Sequence, residues 1–333
     1  MIFYITLDYE LFLGEETGTP ENCLIRPMNA LLKMAAEKGI KYTIFVDATY
    51  LLRLKQFMET VPKLREHFEA VTENLRKCVE DGHDVQLHIH PQWIYSDWDV
   101  GHQRWIMDKA HYKLSDMPLE KAKKLISDAK EVLDEIVGYK TIAFRAGGFC
   151  LDNFVDYKQT FKELGLVIDS SVARKQFVKS PIHSYDYRDI PNKQIYSFSN
   201  SIKEEKSDGE FKELSISSFC CSPLYFLLKV RKQRNNYSPN VIYKDGESIS
   251  DGKNLLLAKI KKLFSSYTTF CSLDSATSCY LNEFYKGVKA DGHSEMILIG
   301  HPKNASDVSI QNLKIFVENH MKDKFRVVSD LIK

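Results

Sequence analysis

Apolar and polar positions along this chain change period repeatedly, from about two residues to about 3.6 and back. Such alternation marks strands and helices following one another. Phe3 to Leu7 is a β-rich run that ends in charged residues, and Pro27 opens an amphipathic stretch from Met28 to Ala36 stopped by Gly39. A second strand is expected over Tyr42 to Val46, then helical periodicity from about Leu51 to Val79. The run from Asp84 to His90 is a third strand, and its alternation puts Gln86, His88 and His90 on one face. Helix over 118–137, strand over 141–144, helix over 154–164 and strand over 166–168 continue the rhythm. From Arg174 to about Lys253 the pattern becomes irregular and rich in Ser, Asn, Lys and Tyr, with one strand expected over 211–216. The rhythm then resumes, with helix over 254–264, strand over 267–271, helix over 276–288, strand over 295–299 and helix over 310–321. Strands separated by helices predict an α/β fold in which parallel strands are joined by crossover helices, as a barrel or an open sheet. No repeat or flexible linker divides the chain. One domain spanning 1–333, with an irregular insertion at about 174–253, is the expected organisation.

Composition removes several function classes. The 333 residues carry 46 basic and 45 acidic side chains, a net charge of +1, so there is no basic excess of the kind a nucleic-acid binder shows. With 44% hydrophobic and 27% charged residues the chain reads as a globule and not a disordered polymer. No apolar run approaches the ~18 residues needed to cross a bilayer. The N-terminal stretch lacks the basic flank and small-residue cleavage site of a signal peptide. The chain is therefore expected to stay in the cytoplasm. Its seven cysteines are an odd number, scattered and without CxxC spacing, which predicts reduced, buried thiols and no thiolate zinc site. The basic run Val230-Arg231-Lys232-Gln233-Arg234 reads as a solvated helix end.

Polar groups able to bind metal or move protons recur where the expected strands end. Asp8 and Glu10 follow the first, His88 and His90 the third, Arg145 the fourth, Asp169 the fifth and His301 the last strong one. The carboxyl ends of parallel strands are the rim on which active sites of such folds are built. His88 and His90 sit at strand spacing among apolar neighbours, so two imidazoles point to the same side of an internal strand. Imidazole and carboxylate together are natural ligands for zinc and similar divalent ions. Asp8 and Glu10 also share a side, and two like charges in one pocket call for a cation between them. Arg145 can pair with one of these carboxylates. The small residues Ala146-Gly147-Gly148 after it let backbone come close to the site, which makes Gly147 a candidate substrate contact. Trp93, just past His90, is a candidate aromatic contact for a substrate.

The ordered set Thr6-Leu7-Asp8-Tyr9-Glu10, Gly82 to Pro91, Phe144 to Gly148, Gly165 to Ser171 and Leu298-Ile299-Gly300-His301 resembles the five motifs of the polysaccharide deacetylases, carbohydrate esterase family 4. That resemblance spans nearly the whole chain. It implies a distorted (β/α) barrel of the NodB-homology type and a metal-dependent hydrolase that removes an acetyl group, N-acetyl first, from a carbohydrate. It makes Asp8 the general base held by Arg145, His301 the general acid oriented by Asp169, and Glu10 and His88 metal ligands. Three positions depart from the family pattern. Tyr9 separates carboxylates that are usually adjacent, Ala146 stands for a proline, and no histidine lies four residues after His88, so His90 must serve in its place. The expected cofactor is one divalent ion, zinc by ligand type, and the expected partner is an acetylated carbohydrate used in surface-glycan biosynthesis. Two other readings stay open. One is an amidohydrolase- or phosphoesterase-like metal hydrolase, disfavoured because the first strand carries Asp8 and Glu10 where those enzymes carry HxH. The other is a non-catalytic carbohydrate-binding relative.

Overall fold

The computed structural model describes residues 1–332 apart from 152, 181, 225–226, 228–241 and 249–263. In chain order its strands are β1 (Ile2–Tyr9), β2 (Thr43–Asp47), β3 (Asp84–Ile89), β4 (Asp97–Asp99), β5 (Arg104–Ile106), β6 (Ala143–Ala146), β7 (Ile168–Asp169) and β8 (Phe177–Lys179). Then come β9 (Ser184–Asp186), β10 (Ile195–Phe198), β11 (Phe211–Leu214), β12 (Ser218–Cys221), β13 (Tyr267–Phe270), β14 (Glu295–Gly300) and β15 (Lys324–Arg326). The longer helices are α1 (Arg26–Lys38), α2 (Ala48–Phe57), α3 (Pro62–Glu80), α4 (Leu119–Val137), α5 (Phe154–Leu164), α6 (Leu281–Ala290) and α7 (Asp307–Asn319).

One sheet organises the molecule, in the order β10-β11-β7-β6-β3-β2-β1-β14, with β15 also paired to β1. Its pairs are parallel except β10 with β11. The sheet curls until its ends meet. Beyond β11 the chain runs to Ser217, whose N–H donates to the Ile297 carbonyl of β14 (3.1 Å) and whose Oγ accepts from the Ile297 N–H (2.9 Å). The Ser217 carbonyl accepts from Cys271 N–H (2.9 Å), so the segment after β13 lies along the same seam. The result is the nearly closed, distorted α/β barrel expected from the sequence.

Alternation along the strands separates two apolar clusters. Tyr4, Phe45, Ala143, Ile168, Leu214, Ile297 and Ile299 fill the barrel, closed at one end by Val328. The opposite faces pack against the helices, as α4 does with Leu125, Ile126, Ala129 and Leu133, all at helical spacing. At ~25 cal/mol per Å² of apolar surface this two-sided burial is the main stabilising term.

Two expected helices come out differently. The periodicity over 51–79 is split into α2 and α3 because Pro62 lacks an N–H and is tolerated only in a helix's first turn. The helix over 276–288 is a 3₁₀ stretch from Ser275 to Tyr280, continued as α6. The helix over 254–264, all but Phe264, and the basic run 230–234 lie outside the described residues. All seven cysteines are free as expected, although Cys220 is exposed and Cys279 only half-buried. Among the described residues no helix is long and apolar enough to cross a membrane.

Candidate active site

The site is a layer of polar side chains lying on the apolar filling of the barrel. Register sets it: Asp8 of β1 stands opposite Phe45 of β2, and Asp47, His88 and Arg145 are aligned across β2, β3 and β6. Arg145 is completely buried, its guanidinium 4.1 Å from the centre of the Phe45 ring. A buried guanidinium must spend its donors locally. Arg145 donates to Asp8 Oδ1, Thr6 Oγ1 (3.0 Å), Ser170 Oγ (2.8 Å) and the Ser170 carbonyl (3.0 Å). One oxygen of Asp8 is thus fixed, and the other, Oδ2, lies 3.8 Å from His301 Nε2.

Glu10, His88 and His90 converge beside it. Their ligand atoms lie within 4.8 Å of one another, and all three residues are buried. His88 Nδ1 is 2.8 Å from the Arg145 carbonyl, which can only accept, so Nδ1 carries a proton and a neutral His88 turns the lone pair of Nε2 to the site. That lone pair faces Glu10 Oε2 at 2.9 Å, and His90 Nε2 faces the same oxygen at 2.5 Å. Lone pairs meeting at such range need a proton or a cation between them, so the donor set fits a divalent ion of the zinc type. His90 Nδ1 is buried without a hydrogen-bond partner, set against Gly147, where a Cβ would come within 2.6 Å of it. Burial works against charge on Glu10, but Lys303, His90 and His88 outweigh it and hold its carboxyl well below the usual range.

His301 follows β14 directly. Burial opposes its protonation, but Asp274 chiefly, then Asp8 and Glu10, raise its pKa to about 9. Asp274 Oδ2 is 2.8 Å from His301 Nδ1, and Asp274 Oδ1 accepts the His301 backbone N–H at 2.8 Å. The segment after β13 delivers it: Leu273 N–H bonds to the Ile299 carbonyl (2.8 Å), placing the next residue beside the end of β14.

These groups open into a cavity of about 450 Å³ lined by Asp8, Glu10, His88, His90, Asp274, His301 and Lys303 at its polar end. Its other wall is largely apolar, with Phe149 and Phe270 beside Val178, Ile182 and Tyr185 of the β8–β9 hairpin and its turn.

Asp8, Glu10, His88, His90, Arg145 and His301 are therefore brought together. Three expected site residues are not. Asp169 is buried in the barrel wall, its oxygens taken by the N–H (3.0 Å) and Oγ (2.7 Å) of Ser171, and Asp274 is the carboxylate on His301. Register places Asp169 opposite Phe144 and Glu213, on the alternate face of the sheet from Ile168, which fills the barrel, and from Arg145. Trp93 is fully buried between Tyr50 and Trp105, where its Nε1 donates to Asp47 Oδ2 (2.7 Å), so it offers no face to a sugar. Gly147 lies behind His90, and its neighbour Gly148 reaches the cavity, at a φ of 58° and with Tyr112 where a Cβ would be. Asp47, Asp274 and Lys303 are contributors not found from the sequence, as is His183, which lines the cavity from the turn of the β8–β9 hairpin. Asp47, an acid at the end of a strand, carried the same signal as Asp8.

The fold is that of the polysaccharide deacetylases. Over 99% of this chain and 88% of the other, the structure is similar to that of a Mycobacterium smegmatis protein assigned as a polysaccharide deacetylase, at 13% identity and a TM-score of 0.50. Weaker similarities include a family 4 carbohydrate esterase from Streptomyces lividans solved with acetate (13% identity, 51% of this chain and 61% of that one, TM-score 0.32). Another is a family 4 pseudoenzyme from Bacillus anthracis (7% identity, 100% of this chain and 65% of that one, TM-score 0.42). No protein-family profile matches the chain, and no curated protein matches it in sequence.

Proposed function

We propose that this chain is a metal-dependent carbohydrate deacetylase that hydrolyses an N-acetyl group, acting on acetylated sugars in cytoplasmic steps of surface-glycan assembly. The observation that carries the reading is the disposition of Asp8 and His301 on one cavity beside the Glu10, His88 and His90 donor set. Glu10 Oε2 and the Nε2 atoms of His88 and His90 would hold the ion. A zinc-type ion bound there supplies Lewis acidity, lowering the pKa of water toward ~7 and polarising an acyl oxygen.

The chain's own groups account for the protons. Asp8 Oδ2, its partner oxygen held by Arg145, takes the proton from the attacking water. His301, held at Nδ1 by Asp274, presents Nε2–H and gives that proton to the amine nitrogen as the C–N bond breaks. A pKa of about 9 keeps His301 protonated at neutral pH, as an acid for an amine leaving group must be. The test is acetate release from a panel of N- and O-acetylated sugars by zinc-loaded protein. Release from N-acetylated amino sugars supports the reading, release from O-acetyl esters alone moves the substrate class, and no release from any sugar overturns it.

A further inference from the structure

Lys303 is the unexpected charge in this site. It sits in the 3₁₀ turn Pro302–Asn304 that follows His301, and its side chain is only 9% exposed. A buried ammonium needs partners, and both of its partners lie on the segment leaving β1. Nζ donates to Glu10 Oε1 (2.7 Å) and to the Leu11 carbonyl (2.9 Å). It therefore ties the exit of β1 to the exit of β14. It also takes the Glu10 oxygen that does not face the imidazoles, since Oε2 alone is within 2.9 Å of His88 and His90.

Asp8 and Glu10 each have a fixed cation, Arg145 on Asp8 and Lys303 on Glu10. These two carboxylates are thus compensated before a divalent ion arrives. We propose that Lys303 is a positioning residue for Glu10: it holds the carboxylate with Oε2 toward His88 and His90 before an ion arrives, and as a fixed charge beside the ligand set it weakens the grip on that ion. The inference rests on the reading of Glu10, His88 and His90 as the metal ligands. Such a site is preformed and exchangeable. Glu10 need not move on loading, and repulsion between Lys303 and the ion, strong in a poorly solvated pocket, sets a ceiling on affinity.

The test measures zinc affinity of the full chain by competition with a chromophoric chelator, together with the melting temperature of the metal-free protein. Lys303→Met should bind zinc at least about ten-fold more tightly than wild type. Its metal-free form should melt lower, because Glu10 Oε1 is left buried and unpaired, and saturating zinc should close that gap. Lys303→Arg keeps the cation and should return the affinity toward wild type. Zinc binding by Lys303→Met that is unchanged or weaker overturns the proposal. If wild type and His88→Ala bind zinc equally, or neither binds it, the ligand set itself is wrong and the role of Lys303 falls with it; that result is read without the Lys303 variants.

Discussion

At the scale of single residues, the site depends on which charged group holds the base and which the acid. Against the cost of burial, Asp274 chiefly, with Asp8 and Glu10, raises the pKa of His301 in the folded chain from 6.5 to about 9. The stabilisation from that pairing is fully present below about pH 6.5 and is lost as pH rises through about 9. Activity that needs the protonated imidazole should fall on the same alkaline limb. Asp274→Asn should move that limb toward neutrality, and should lower the melting temperature more at pH 6 than at pH 10. A limb that stays in place would give the alkaline proton to another group. Asp8→Asn should keep the fold and the zinc while losing most turnover, in the range of 10²–10⁴-fold for a general base. Loss of zinc together with activity would make Asp8 a ligand. His301→Ala should impair an acetamide far more than a nitrophenyl acetate, because a nitrophenolate leaves without a proton.

At the scale of elements, strands and their ends were legible in the sequence, and connections were not. β3 announces itself by alternation and β1 and β14 by short β-rich apolar runs, and Asp8, Glu10, His88, His90 and His301 follow from where those strands stop. Asp274 could not be found this way, because it stands beside His301 only through hydrogen bonds between the segment after β13 and β14, contacts 26 residues apart or more along the chain. Trp93 misled for the opposite reason. Nearness to His90 in sequence suggested the cavity, but the 3₁₀ turn Pro91–Tyr95 carries the indole into the core, where it holds Asp47. The seam of the barrel is equally invisible in a pattern of apolar residues, resting on Ser217, through its hydroxyl and backbone, together with backbone bonds from the segment after β13 to Ile299. Ser217→Ala leaves the buried Ile297 N–H without its acceptor, a loss of about 1–3 kcal/mol. A melting temperature clearly below wild type checks it, and an unchanged one would show that the seam does not depend on that bond.

At the scale of the whole molecule the barrel supplies a rigid apolar floor, a charged layer fixed upon it, and a cavity whose far wall comes from a segment irregular in sequence. The polar layer is satisfied from below by Arg145 and open above, so chemistry is confined to the face where Asp8, Glu10 and His301 line the cavity. The central claim is that hydrolysis of an acetyl group depends on an ion held by Glu10, His88 and His90. It is tested most directly by titrating zinc into chelator-stripped protein while following acetate release from an N-acetylated amino sugar, with His88→Ala in parallel. Release should rise with zinc and saturate near the single equivalent that the Glu10, His88 and His90 cluster provides, and His88→Ala should give none. Acetate release that is independent of zinc, or equal in His88→Ala, would contradict it.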